Sequence, residues 1–261
     1  MFENHQRAIN KLTALFQDDP AYLAMIIGGS VAKGLAKEDS DVDFMLVATD
    51  EEYARRAAIN NFQYVSLDLT DYPGGYVDGK IVSMAFLREV ADHGSEPARS
   101  AFCGGMIIYS REPELADLLK QITTYPEHER TQKIQSFHAQ IQALRWFAGE
   151  AEKRHEAYLM AHAVADMVLF GARLILAHNR VLYPYHKWVM TELRRVQDKP
   201  ENMVEMAEAL LAHPSRDAAE QFADLVLNFI PWEAPPEGWP MRFMNDVEWT
   251  WRTGRPAVED L

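Results

Sequence analysis

Cysteine is nearly missing from this chain. Cys103 is the only one in 261 residues, which excludes an intrachain disulfide and any metal cluster built from cysteine. Basic side chains are also scarce. Lys and Arg number 26 against 39 Asp and Glu, a formal net charge of −13. That balance argues against a long nucleic-acid track, where neutralising phosphates takes Lys and Arg. A small or cationic partner fits it better, because net charge governs only broad attraction. No uninterrupted apolar stretch is long enough to span a bilayer. The opening Met1-Phe2-Glu3-Asn4-His5 lacks a basic segment followed by an apolar run, so no secretory signal is read and a cytoplasmic location is expected. There are no repeats, no low-complexity runs, no His/Cys zinc pattern and no nucleophile-elbow motif. What remains is an ordinary globular composition, 48% hydrophobic and 25% charged. At this length it can form one large domain or two modest ones, either with a substantial core.

The informative stretch is Ile26-Ile27-Gly28-Gly29-Ser30, a short polar spacer, then Ser40-Asp41-Val42-Asp43-Phe44-Met45-Leu46-Val47. In an extended chain alternate side chains point the same way, so Asp41 and Asp43 project together while Val42 and Phe44 turn into the sheet. Two adjacent carboxylates repel each other, a cost that a bound divalent cation relieves. Oxygen-only ligands on a strand suit Mg²⁺, which takes one or two carboxylates together with substrate phosphates. Gly28 and Gly29 remove side chains where a triphosphate must approach the backbone. Ser30 adds a hydroxyl at the expected start of the next helix, where free N–H groups favour anions. Together they read as a site for a metal-bound nucleoside triphosphate. The turn is not a Walker A loop, since the Gly-Lys-Ser/Thr ending is absent.

Gly29-Ser30, ten residues, then Asp41-Val42-Asp43-Phe44 resembles the signature of the polymerase-β-like nucleotidyltransferase superfamily, over roughly the first 110 residues. The resemblance implies a mixed sheet with flanking helices and transfer of a nucleoside monophosphate from an NTP with release of pyrophosphate. It implies two-metal phosphoryl transfer, with Asp41 and Asp43 holding the cations. Lys33 is then expected near the bound phosphates. The expected co-substrate is an NTP, ATP first among the four, although base choice depends on pocket shape. A member that keeps the fold as a degenerate nucleotide-binding module remains open, because fold alone does not establish activity.

Along the chain, residues 3–17 carry Ile9, Leu12, Leu15 and Phe16 at helical spacing, with Asp18-Asp19-Pro20 as a stop. Tyr22 to Ile27 reads as a buried strand and Val31 to Leu35 as a short helix. A second strand runs from Ser40 to about Ala48. Asp50 is placed to cap a helix over 50–60. Tyr64 to Leu69 alternates like a strand, and after a turn-rich 71–79 a further strand is expected over Lys80–Leu87. Beyond Arg111 the pattern changes to long helices at 131–149, 153–179, 186–196 and 201–212, an up-and-down bundle. The segment from Pro231, with Trp232, Trp239, Trp249 and Trp251, reads as an irregular tail pinned by aromatic burial. The fold class is therefore α+β: a nucleotidyltransferase domain over 1–110 followed by a helical bundle over 111–261.

Family members place a third carboxylate on a later strand. Here the expected position falls near Ser83, and serine cannot serve. Asp78 and Asp68 are the substitutes in reach, with Asp78 favoured as the general base although its Asp78-Gly79 pair also reads as a plain turn. In the bundle, His155, His162, Asp166 and Arg173 are expected on one helix face, either lining the cleft or simply solvated. Tyr185, His186 and Lys187 follow Pro184 at a bend. Related two-domain enzymes reach the nucleotide with a lysine of the helical domain, which makes Lys187 a candidate. The chain also resembles aminoglycoside and lincosamide nucleotidyltransferases, which implies a small-molecule hydroxyl acceptor, a cationic one suiting the acidic balance. Nucleotidylation of a protein, as by antitoxin-type members, is the alternative.

Overall fold

The segments Tyr22–Ile27 and Val42–Ala48 are apolar along most of their length, because a strand covered on both faces has no solvent side to keep polar. The computed structural model describes residues 1–254. In the first part of the chain α1 (Glu3–Phe16) leads into β1 (Tyr22–Ile27), α2 (Gly29–Ala32), β2 (Val42–Ala48), α3 (Asp50–Ala58), β3 (Gln63–Ser66) and β4 (Val77–Ser83). Then come α4 (Met84–His93), α5 (Glu96–Ser100), β5 (Met106–Ser110) and α6 (Leu115–Thr123). The strands form one mixed sheet in the order β3-β4-β2-β1-β5. β2 and β4 are parallel, and the other neighbours are antiparallel.

Both faces are buried. Met25 and Ile27 of β1, with Val42, Phe44 and Leu46 of β2, pack against Ala8, Ile9, Leu12 and Phe16 of α1. Ala24 and Ile26, with Met45 and Val47, pack on the opposite face against Leu87 and Val90 of α4 and Leu115, Leu118, Leu119 and Ile122 of α6. This burial explains why the first compact unit is Met1–Thr124 and the second starts at Tyr125, rather than dividing at 110/111. Residues 111–124 supply the helix that covers one face of the sheet.

Several boundaries differ from the sequence expectation. The one-turn helix after β1 starts at Gly29 and ends at Ala32 instead of spanning 31–35. Thr49, not Asp50, caps α3, its hydroxyl accepting from the Glu52 N–H at 3.3 Å. The strand expected over Lys80–Leu87 begins three residues earlier, at Val77, and gives way to α4 at Met84.

The second unit contains α7 (Arg130–Arg154), α8 (Ala157–His178), α9 (Val189–Arg195), α10 (Met203–Ala212), α11 (Arg216–Leu227) and α12 (Trp239–Phe243). Ile141 and Leu144 of α7 close with Met167 and Ile175 of α8, Leu193 of α9, Leu210 of α10 and Phe222 and Val226 of α11 around one core. Gly171 lets α8 approach α11; a Cβ there would lie 2.9 Å from the Phe222 ring. By length and composition alone α8 could cross a bilayer, yet half of that stretch is buried in the core. The break expected between 149 and 153 falls later: α7 runs on to Arg154, where His155 turns left-handed at φ 52°, and α8 starts at Ala157. The tail is helical over 239–243, and Trp232 is pinned as expected, its indole N–H donating to the Val226 carbonyl at 2.8 Å. Trp251 is instead 65% exposed. The end of the expected 111–261 domain, residues 255–261, lies outside the described residues.

Candidate active site

The site grows from the parallel register of β2 and β4. Val42 lies level with Val77, Asp43 with Asp78 and Phe44 with Gly79. Just before the two strands, the Val42 N–H donates to the Tyr76 carbonyl at 3.0 Å, which sets Tyr76 beside Asp41. Asp41-Val42-Asp43 and Tyr76-Val77-Asp78 thus run side by side, the valines turned into the core and the other side chains away from it. Asp78 therefore lies inside a strand, not in the turn that its Asp-Gly pair suggested. Gly79 has a structural reason to be there: a Cβ would overlap the Phe44 ring, lying 2.7 Å from Cε1.

Asp78 lies level with Asp43, whereas Ser83 lies level with Ala48 at the other end of the strand. Ser83 has a different task. It is buried and caps α4, its hydroxyl accepting from the Phe86 N–H at 3.0 Å. Asp68, the other substitute, falls just past β3 on an exposed turn, where its N–H donates to the Ser66 hydroxyl.

The Gly28-Gly29-Ser30 turn abuts the same strand. The Gly28 N–H donates to the Asp43 carbonyl at 2.9 Å. Gly29 is required twice over. Its φ of +59° lies in the left-handed region, and a Cβ would overlap the Asp43 side chain, with Cγ 2.6 Å away. Ser30 is buried, and its hydroxyl has no hydrogen-bond partner. A buried hydroxyl left unpaired costs about 1–3 kcal/mol. Lys33 follows α2, its N–H donating to the Gly29 carbonyl at 3.1 Å.

Neutral donors surround the carboxylates. The Tyr76 phenol is next to Asp41, and that carboxylate first, then burial, Asp78 and Asp43, push its pKa up. The Gln63 amide donates to Asp78 at 3.3 Å. Behind Asp41, the Ser40 carbonyl accepts from the Tyr72 hydroxyl at 2.7 Å and meets His5 Nε2 at 3.1 Å. A carbonyl can only accept, so Nε2 carries the proton. His5 is fully buried, and burial lowers its pKa. Sequence reasoning missed Tyr76, Gln63, Tyr72 and His5. Only Tyr76 left a signal, since Tyr76-Val77-Asp78 repeats the spacing of Asp41-Val42-Asp43.

Lys187 lies in the second unit on a short 3₁₀ turn over 186–188, its Nζ 5.5 Å from the Trp188 ring centroid. The polar stripe is only partly assembled. His155 sits at the end of α7, whereas His162 Nδ1 lies 3.4 Å from Asp166 on α8. Arg173 is held between the rings of Phe137 and Tyr183, at 4.4 and 4.3 Å. Among the described residues, no three His, Cys, Asp or Glu side chains form a group that could hold a metal by themselves.

Residues 9–80 match the family described as nucleotidyltransferase domain, and residues 96–189 match a domain of unknown function (DUF4037). The second match starts at α5 and runs across the 124/125 division into the bundle. A solved structure of a nucleotidyltransferase-like protein from Exiguobacterium sibiricum 255-15 is similar at 17% identity, over 97% of this chain and 81% of that one, with a TM-score of 0.47. No curated protein matches. The match over 9–80 agrees with the resemblance carried by the motif, and the mixed sheet followed by helices that the resemblance implied is present.

Proposed function

We propose that this protein transfers a nucleoside monophosphate from an NTP, ATP first among the four, to a hydroxyl of a small-molecule acceptor. The observation that carries the reading is the β2–β4 register, which sets Asp78 level with Asp43 and Tyr76 beside Asp41, against the Gly28-Gly29-Ser30 turn. The acceptor oxygen forms its bond to the α-phosphorus as the bond to pyrophosphate breaks, and the hydroxyl proton passes to the Asp78 carboxylate. Gly28 and Gly29 admit the phosphates to the backbone, the Ser30 hydroxyl donates to a phosphate oxygen and Lys33 adds positive charge beside them. The oxygen-only donor set fits Mg²⁺, since one or two carboxylates suffice when phosphates complete the shell. Asp41 and Asp43 would hold it, and when bound it supplies stabilisation of charge on the transferring phosphoryl group. Lys187 enters this reading only through the resemblance. The acidic balance favours a cationic acceptor.

Titration calorimetry of the four NTPs, with and without Mg²⁺, tests the site. Metal-dependent binding of one nucleotide by wild type and its loss in Asp43→Asn are expected; equal binding by the variant overturns the assignment. Asp78→Asn should keep nucleotide binding while pyrophosphate release falls by about 100-fold or more. A second reading, a nucleotide-binding module without turnover, is favoured by the lack of a self-sufficient group of three metal ligands among the described residues. Nucleotide binding without pyrophosphate release across a panel of amine-bearing and neutral acceptors would select it.

A further inference from the structure

Asp41 is gripped from two sides by groups that carry no charge of their own. Tyr76 stands beside it, its backbone carbonyl accepting from the Val42 N–H at 3.0 Å. The peptide that precedes it is held by the Ser40 carbonyl, which takes the Tyr72 hydroxyl at 2.7 Å and the His5 imidazole at 3.1 Å. These holders come from three places in the sequence. Tyr76 is the residue before β4, Tyr72 sits in the turn ahead of it and His5 belongs to the first turn of α1. The His5 and Tyr72 rings pack edge to face, 5.7 Å between centroids, so the two donors brace each other. The same first turn ties down both neighbouring segments. Asn4 donates to the Glu38 carbonyl at 2.6 Å, and Arg7 makes a two-pronged pair with Asp71. Lys37 N–H donates to the Ser40 hydroxyl at 2.8 Å, closing the loop that delivers Asp41.

We infer that His5, Tyr72 and Tyr76 are positioning residues for Asp41, a clamp that fixes its carboxylate for a divalent cation before the cation arrives. The inference rests on the proposed nucleotidyltransferase reading, in which Asp41 is a metal ligand. A cationic holder would compete with the metal for Asp41, whereas a phenol leaves the negative charge intact and restricts only its direction. The first turn of α1, remote in sequence from the motif, thereby becomes part of the site's machinery. Groups that orient a metal ligand typically change metal affinity by about 10- to 100-fold when removed.

The test is Mn²⁺ binding, read from the electron paramagnetic resonance signal of the free ion in the presence of nucleotide. It compares wild type, Tyr76→Phe, Tyr72→Phe, Asp41→Asn and the double variants with Asp41→Asn; thermal unfolding in EDTA runs alongside. Tyr76→Phe and Tyr72→Phe should each bind Mn²⁺ about 10-fold more weakly. In the Asp41→Asn background neither change should weaken Mn²⁺ binding further. Wild-type Mn²⁺ affinity in both single variants, whatever their melting temperature, would overturn the clamp and leave the nucleotidyltransferase reading standing. Failure of wild type itself to bind Mn²⁺ with any NTP would overturn the reading, and the clamp with it.

Discussion

In the second unit, charged side chains are largely paired with one another. Arg145 meets Glu220 and Asp224, Arg180 meets Glu127, Arg194 meets Glu208, and His178 meets Asp198. These pairs link elements distant in sequence across the rim of an apolar core, and exposed pairs of this kind are each worth only about 0–1 kcal/mol. At the start of β2 and β4, inside the first unit's sheet, Asp78 is met by the neutral donor Gln63 and Asp41 has Tyr76 beside it. The contrast separates two uses of charge. A carboxylate matched to an arginine is neutralised and serves as a fastener. One held by a phenol or an amide keeps its charge, and that charge can act on a ligand.

The sharpest break in this comparison comes from the bundle core. Phe222→Ala removes a fully buried ring packed on Gly171 and should cost about 3–5 kcal/mol. Urea unfolding measures it; a cost below 1 kcal/mol would mean that the bundle does not depend on this core. In the first unit, Gly29→Ala forces a side chain into a left-handed backbone and onto Asp43. It should cost about 1–3 kcal/mol and abolish nucleotide binding, read by thermal unfolding and calorimetry. Ser83→Ala sharpens the reassignment of that residue. Loss of a helix cap should cost about 1 kcal/mol with nucleotide affinity unchanged, and a loss of affinity would return Ser83 to the site.

The smallest effect concerns a fastener of the first unit. Hydrogen bonds from Arg55, and then from Arg56, hold the Glu52 carboxyl at about 2, below its ordinary 4.5. A depressed carboxylate stabilises the fold above its unfolded pKa, and that contribution fades as pH falls from about 5 toward 2. Glu52→Gln should therefore flatten the acid limb of the stability–pH curve over that window and lower stability at pH 7. An unchanged acid limb would show that the pair is screened by solvent.

The sheet was largely legible because β1 and β2 are apolar along most of their length and the motif between them combines a glycine turn with alternating carboxylates. Three features were not. β5 carries a half-exposed face and no turn signal beyond Gly104-Gly105, so Met106–Ser110 passed without notice until its pairing with β1 was seen. Asp78-Gly79 has the composition of a turn, and only the Phe44 ring across the sheet explains a glycine within a strand. The break at His155 has no glycine or proline to announce it, since a histidine supplies the left-handed residue. The third was decided by a local left-handed turn, the first two by a long-range partner absent from the local pattern. The holders of Asp41 belong to the same class, because Ser40, Tyr72 and His5 meet only once the sheet and α1 have packed.

The ring of Phe44 seated over Gly79 acts as a phase marker between two strands. Side chains in a strand alternate faces, so a slip of one residue in β4 would turn Asp78 into the α1 side of the sheet and bring Gly79 level with Asp43. Phe44 would then confront a residue with a side chain, and the slipped frame would be rejected on volume alone. Residues added in the exposed turn around Asp68 can therefore be absorbed with little consequence, while one residue deleted between Val77 and Gly79 would leave the sheet apolar in composition and empty of its chemistry. This unit tolerates changes of length and is intolerant of changes of phase.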